Sequence, residues 1–312
     1  MCGHYPSDPS GMKFSVSQIS HKGGRLKNED RIGYGYTRES SLFVLADGMG
    51  GHPQGEVAAR IALRTIAALY QHQAQPVLHD VKGFLASAVM AGHQQIIRYA
   101  DGKGMHDAPH TTVVVAVVQD DHVTWAHCGD SRLYVVRNGK VLARTRDHSY
   151  AEYRRAPQGA QSINRNLLLS CLGAPVLPTV DIPAPRPLRR GDRIMLCSDG
   201  LWSMIDEARI ARILSARPVS AATHELVEMA LDRGGASSDN VSMIAVEWEP
   251  PSRHPGTHEV CTDSIDEGVF ASTIQAGLPA SCETDELEGD AIDHWIAEIN
   301  ATVAHSVLHS KT

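Results

Sequence analysis

Five aspartates in this 312-residue chain stand where a strand-like run stops or a turn tightens. Asp47, followed by Gly48, ends SLFVLA, and Asp199, followed by Gly200, ends DRIMLCS. Asp130 follows His127-Cys128-Gly129, Asp239 with Asn240 precedes VSMIAVEW, and Asp30 closes Asn28-Glu29-Asp30. Any one of them alone is an ordinary turn residue, because Asp-Gly and Asp-Asn pairs favour turns for local reasons. Together they imply more. A strand end projects a short carboxylate from a rigid scaffold, and several carboxylates converging on one cleft repel one another unless cations neutralise them. An all-oxygen donor set, with no Cys/His cluster at metal spacing, suits hard ions, Mg²⁺ or Mn²⁺. Gly48 also lets a backbone carbonyl turn toward an ion with no Cβ in the way. Two such ions close together can share a water, lower its pKa and hold phosphate oxygens in line for attack. A phosphomonoester further favours a guanidinium that grips its non-reacting oxygens. Arg25, five residues before Asp30, is the best-placed candidate.

Other chemistries find little support. No G-x-S-x-G elbow and no G-x-x-x-x-G-K-[ST] loop is present. The six cysteines are scattered without a C-x-x-C pair, and Cys128 and Cys197 lie inside apolar runs, which reads as buried thiols in a reducing compartment. The longest apolar run, Val113 to Val118, is strand-sized and far too short to cross a bilayer. Residues 1–12 lack the basic patch and apolar stretch of a secretory signal, so the expected location is the cytoplasm, with no membrane partner. No basic stripe with interleaved aromatics appears, which argues against nucleic acid.

The elements that must position the aspartates are legible as periodicities. Residues 13–20 and 41–46 read as strands, and after a glycine-rich turn two helical patterns follow, over 56–70 and around Phe84 to Ile97. From Thr111 to Thr145 the pattern becomes a β-meander, with Asn138-Gly139 as its strongest hairpin signal. A strand over 192–198, helices over 206–216 and 220–232, and a strand over 241–248 complete the series. Strands in runs and helices in pairs predict an α+β fold: a central antiparallel β-sandwich flanked by pairs of helices, in four αββα layers.

Composition breaks at Pro250-Pro251. The net charge is −7, but residues 251–312 carry nine net negative charges, leaving 1–250 at +2. The expected organisation is therefore a catalytic domain over 1–250 and an acidic tail over 251–312. In the tail Ile292, Trp295, Ile296, Ile299 and Val303 share one face of a candidate amphipathic helix at 291–308, which either packs on the domain or docks a protein partner. Such a tail can also compete with an anionic substrate.

At these residues the sequence resembles the metal-dependent protein phosphatases, also called type 2C, in their bacterial form. The stretches that carry the likeness are RLKNED at 25–30, LADGMGGH at 45–52 with Gly55-Glu56, Thr111-Thr112, CGDSR at 128–132, Asp147-His148-Ser149, SDGLW at 198–202 and SDNV at 238–241, in the family's order. The resemblance implies hydrolysis of phosphoserine and phosphothreonine in proteins, with a serine/threonine kinase as the opposing enzyme. It implies that Asp47 bridges two catalytic ions, that the Gly48 carbonyl completes one shell and Asp199 and Asp239 the other, and that Glu29 and Asp30 hold waters on the ions. Arg25 is then the phosphate clamp and Asp130 part of a weaker third metal site.

The sequence departs from the family pattern in three places. Met49 stands where many eukaryotic members have a proton-donating histidine, His110 stands where glycine is usual, and the flap between His148 and Leu172 has little of the family's wording. Arg154, Arg155 and Arg165 in that flap are either solvated or contacts for an acidic phosphopeptide. His52 and His148 lie in motifs and are read as core or turn residues. The alternative to an enzyme is a non-catalytic, metal-binding pseudophosphatase or adapter; its usual mark, loss of a metal aspartate, is absent.

Overall fold

The computed structural model describes residues 12–50, 54–153 and 168–249 and two short later strands, 258–261 and 271–272. The candidate helix at 291–308 and Arg154, Arg155 and Arg165 lie outside the described residues. In chain order the elements are β1 (Lys13–His21), β2 (Arg31–Tyr36), β3 (Ser40–Ala46), α1 (Gly55–Gln73), α2 (Val81–Gly102), β4 (Val113–Gln119), β5 (His122–Cys128), β6 (Arg132–Arg137), β7 (Lys140–Arg144), α3 (Tyr150–Tyr153), β8 (Arg186–Pro187), β9 (Arg193–Cys197), α4 (Asp199–Trp202), α5 (Glu207–Ala216), α6 (Val219–Gly234), β10 (Val241–Trp248), β11 (His258–Cys261) and β12 (Ala271–Ser272).

Two antiparallel sheets result, in the orders β11-β1-β10-β9-β6-β7 and β12-β2-β3-β4-β5-β8. The strict alternation of side chains across a strand sorts the core into three layers. Between the sheets lie Phe14, Val16, Phe43, Leu45, Val114, Ala116, Leu133, Ile194, Leu196, Ile244 and Trp248. Leu42, Val44, Val113, Val115 and Val117, on the opposite face of the second sheet, pack under α1 and α2. Tyr134, Met195, Cys197, Val241 and Met243 do the same under α5 and α6. Central strands are thus buried on both faces, which is why β3, β4, β9 and β10 read as nearly continuous apolar runs. The architecture is the expected four-layer αββα sandwich.

β10 spans the stretch expected for it, and Asn138 and Gly139 adopt the positive φ angles, 51° and 73°, of a type I′ hairpin. β2 escapes the periodicity because Gly33 and Gly35 leave one of its faces nearly bare, while Ile32, Tyr34 and Tyr36 turn to the inter-sheet layer. A second tight turn, with φ near 52° and 54° at Asp120 and Asp121, joins β4 to β5. Beyond Pro250, β11 pairs with β1 and β12 with β2, so sheet pairing continues past the break in composition. Among the described residues no helix is long and apolar enough to cross a membrane.

Phe43 sits with no exposure between the sheets, edge-on to Phe14 at 5.8 Å between ring centroids. Phe43→Ala is expected to lower unfolding stability by about 3–5 kcal/mol, read from the shift of the urea midpoint at unchanged slope.

Candidate active site

The two sheets end at a common edge, and the five aspartates lie there on connections from both. Asp30 immediately precedes β2, Asp47 follows β3, Asp130 lies between β5 and β6, Asp199 starts α4 after β9, and Asp239 comes two residues before β10. Asp30 is buried; the other four are partly open to solvent, as a cleft requires.

Their mutual influence is visible in their acidities. Burial, followed by the charges of Asp30, Asp199, Asp130 and Asp239, pushes the Asp47 carboxyl well above the usual carboxylate range. Burial and then Asp130, Asp239 and Asp30 push Asp199 up to about 7. Asp130 rises to about 6, through burial and the neighbouring Asp147. Burial also raises Asp30, although hydrogen bonds from Ser242, Ser198 and Asp47 oppose the shift. Glu29 is raised by burial and by Glu56. Groups that make one another harder to ionise, in a site open to water, have the chemistry of ligands for a divalent cation.

The residues present fit such an ion. The donors are oxygens, Asp30 Oδ1 is buried with no hydrogen-bond partner, and Gly48 lies so close to its neighbours that a Cβ would stand 2.4 Å from the Gly55 carbonyl oxygen and 2.8 Å from that of Glu29. Magnesium and manganese match that donor set; a soft thiophilic ion does not.

What holds the carboxylates in place is largely backbone. The Asp47 carbonyl accepts from Thr112 N–H and from the Thr111 hydroxyl, each at 2.8 Å. Gly48 forms a bridge with Thr111, and Met49 N–H donates to the carbonyl of His110, the residue that replaces a glycine. The Asp130 carbonyl accepts from Trp202 Nε1 at 2.9 Å. Trp202 itself lies under the Arg132 guanidinium, 3.5 Å from its ring centroid, and Arg132 grips Asp147 through two bonds of 2.8 and 2.7 Å. Ser198 donates its hydroxyl to Asp30 Oδ2 at 2.9 Å and accepts from Ser242 N–H.

Asn240 is the residue that sequence reasoning left without a role. Its Nδ2 donates to the carbonyls of Lys22 and Lys27 at 2.8 and 2.9 Å, and its Oδ1 accepts from Glu29 N–H at 2.8 Å. One buried amide therefore fastens the whole loop bearing Arg25, Glu29 and Asp30 to the connection bearing Asp239. The loop's approach is close enough that Gly23, at φ 60°, could take no side chain: a Cβ there would lie 2.0 Å from the Asp239 carbonyl oxygen.

Arg25 reaches Asp239, with Nη2 to Oδ2 at 2.6 Å. Its side chain is 56% exposed and that of Asp239 37%, so water screens the pair and little is lost when the guanidinium exchanges one anion for another. Arg25, Glu29, Asp30, Asp47, Gly48, Asp130, Asp199 and Asp239 thus lie on connections at this one edge.

Residues 18–233 match the family model described as Protein phosphatase 2C. The chain belongs to that family. Among its relatives, the serine/threonine protein phosphatase PstP of Mycobacterium tuberculosis is 33% identical over 230 residues, covering 72% of this chain and 42% of that protein. The chain therefore spans less than half the length of this relative. The serine/threonine phosphatase stp of Listeria innocua is 31% identical over 235 residues, covering 72% of this chain and 92% of that one. A solved catalytic domain of a PstP phosphatase, in complex with two manganese ions, superposes with a TM-score of 0.61 at 30% identity, covering 76% of this chain and 99% of the domain. The type 2C fold thus accounts for the paired sheets, their outer helices and the acidic cleft at their shared edge.

Two outcomes follow from this geometry. Asn240→Ala strands the part-buried Glu29 N–H and two carbonyls and is expected to cost about 1 kcal/mol or more of stability, measured by denaturant unfolding. Asp199 has a folded pKa near 7 against an ordinary 3.8, so the folded, ion-free protein holds its proton more tightly than the unfolded chain. Its contribution is present at low pH and is lost as pH rises through about 7. In EDTA, the stability of wild type relative to Asp199→Asn should fall between pH 4 and 7, and a divalent ion should remove that slope; a flat difference in EDTA would contradict it.

Proposed function

We propose that this type 2C chain is a metal-dependent protein-serine/threonine phosphatase that hydrolyses phosphoserine and phosphothreonine monoesters in proteins, opposing a serine/threonine kinase. The observation that carries the reading is the convergence of five aspartates at one sheet edge, four of them raised by burial and by neighbouring carboxylates, with an exchangeable arginine beside them. In this reading Asp47, the Gly48 carbonyl, Asp199 and Asp239 would hold two ions, Mn²⁺ or Mg²⁺. Glu29 and Asp30 orient solvent around them, and Asp130 serves a third, weaker position. When bound, two such ions supply activation of water and neutralisation of phosphate charge.

The chain's own residues do the rest. Arg25 leaves Asp239 and takes two non-reacting phosphate oxygens through its planar fork, which orients the ester and offsets its charge. Asn240 keeps Arg25, Glu29 and Asp239 in one frame during that exchange. Ser198 and the Thr111-Thr112 pair hold Asp30 and Asp47 against their mutual repulsion, so the cleft is organised before substrate arrives. Free, buried thiols at Cys128, Cys171 and Cys197 suit a reducing compartment and support a cytoplasmic setting.

The deciding experiment is hydrolysis of a phosphothreonine peptide with Mn²⁺, Mg²⁺ or EDTA. Turnover should require the ion and fall roughly a hundred- to a thousand-fold in Asp47→Asn and Asp199→Asn, the scale of several kcal/mol of lost transition-state stabilisation. Arg25→Lys, which keeps charge but loses the fork, should weaken kcat/KM by about tenfold or more. Metal uptake by a folded protein that turns over no phosphopeptide would instead favour the non-catalytic adapter.

A further inference from the structure

We propose that His127, His148 and Asp181 form a second metal site, outside the aspartate cleft, that takes a borderline transition ion of the zinc type. One donor atom from each of the three lies within 4.8 Å of the other two. His148 Nε2 and Asp181 Oδ2 are 3.2 Å apart, close to the separation of roughly 3.3 Å between ligands of a tetrahedral ion with bonds of about 2.0–2.1 Å.

Three backbone segments fix the constellation. His127 lies near the end of β5 and exchanges both backbone hydrogen bonds with Asp181, at 3.2 and 3.1 Å. His148 follows β7; its N–H donates to the Gly129 carbonyl at 2.9 Å, and its carbonyl accepts from Leu169 N–H at 2.7 Å. The rings lie 4.6 Å apart between centroids.

The protonation pattern points the same way. His127 Nε2 lies 2.7 Å from the Arg146 carbonyl oxygen, which can only accept, so Nε2 carries the proton and Nδ1 presents a lone pair. A ligating imidazole is ordinarily braced in this manner, through its second nitrogen on a carbonyl. His127 Nδ1 has no hydrogen-bond partner although the residue is only 2% exposed, and His148 Nε2, on a residue 1% exposed, has the Asp181 carboxylate at 3.2 Å as its polar neighbour. Buried polar atoms are nearly always satisfied, so the orphaned lone pair of His127, in a cluster with His148 and Asp181, calls for a partner that accepts it, and displacing the His148 Nε2 proton lets that ring share the same partner. Asp181, with its side chain 49% exposed, leaves that point open to solvent for a fourth ligand.

Ligand type separates this site from the cleft. Imidazole nitrogen suits zinc, cobalt or nickel, whereas magnesium stays with carboxylate oxygen. Ligation through His148 Nε2 moves the ring proton to Nδ1, which now accepts from Gly129 N–H at 3.3 Å. That long contact is surrendered, so occupancy acts on the backbone one residue before Asp130.

The test is Co²⁺ binding to the full chain, stripped with chelator and then held in excess Mg²⁺, followed by equilibrium dialysis and by visible absorption. One Co²⁺ with a tetrahedral visible band is expected in wild type and in Asp47→Asn alike. Asp181→Asn should weaken binding by more than about tenfold, and His127→Asn should abolish the band. Uptake that vanishes in Asp47→Asn, that is unchanged in both site variants, or that never exceeds the Mg²⁺-sensitive fraction overturns the proposal. Should His127→Asn fail to fold, as judged by melting in chelator, the half-exposed Asp181→Asn decides alone. The assignment does not rest on the hydrolytic reading, since its readout is binding and not turnover.

Discussion

Repulsion among Asp30, Asp47, Asp130, Asp199 and Asp239 is the constraint to which the rest of the molecule answers. Each of the four shifted groups is raised first by burial, and charge from neighbouring carboxylates adds to it. A flexible chain would relieve that repulsion by separating them. This one cannot, because each aspartate sits at the end of, or next to, an element whose other end is anchored in a layer of close-packed apolar side chains. Interlayer packing is thus what allows an unfavourable cluster of like charge to persist until cations make it favourable.

The supporting bonds follow a common logic. The backbone carbonyls of Asp47 and Asp130 are held by Thr111, Thr112 and Trp202. Anchoring through the carbonyls does not use up the carboxylate oxygens. Asn240 extends the device to a loop that has no regular structure of its own: three bonds from one amide replace the ladder that a strand would have supplied. Arg25 is held differently. Its contact with Asp239 is water-screened, as suits a group whose work requires it to change partners.

Physical range explains what was legible in the sequence. Continuous apolar runs such as VSMIAVEW at 241–248 are set by burial on both faces, a local signal, and the Asn138-Gly139 turn is set by two φ angles. The aspartates were legible because each sits where such a local signal stops. β2 was not, since Gly33 and Gly35 erase the alternation on one face, and its pairing along β3 is what makes it a strand. Ser198 and Asn240 were not either: their partners lie 168 and 211 or more positions away, so in isolation each reads as an ordinary polar residue at a turn. His148 read as a core or turn residue, and His127 as part of a strand, for the same reason, because nothing local brings Asp181 to them.

Placement of nitrogen donors a few residues from oxygen donors carries its own argument about selectivity. On intrinsic affinity alone, zinc-type ions outcompete magnesium and manganese at nearly any site, so a carboxylate cleft in a cell is protected more by metal availability than by its own preference. A nearby imidazole pair with a single carboxylate widens that preference locally: it offers a borderline ion better donors than the cleft does, and offers a hard ion worse ones. His127 and Asp130 are three residues apart on one connection, and Gly129 between them bonds to His148. Whatever fills the histidine site therefore acts on the backbone that carries Asp130, and the chemistry of two ion classes is coupled through a single turn of chain.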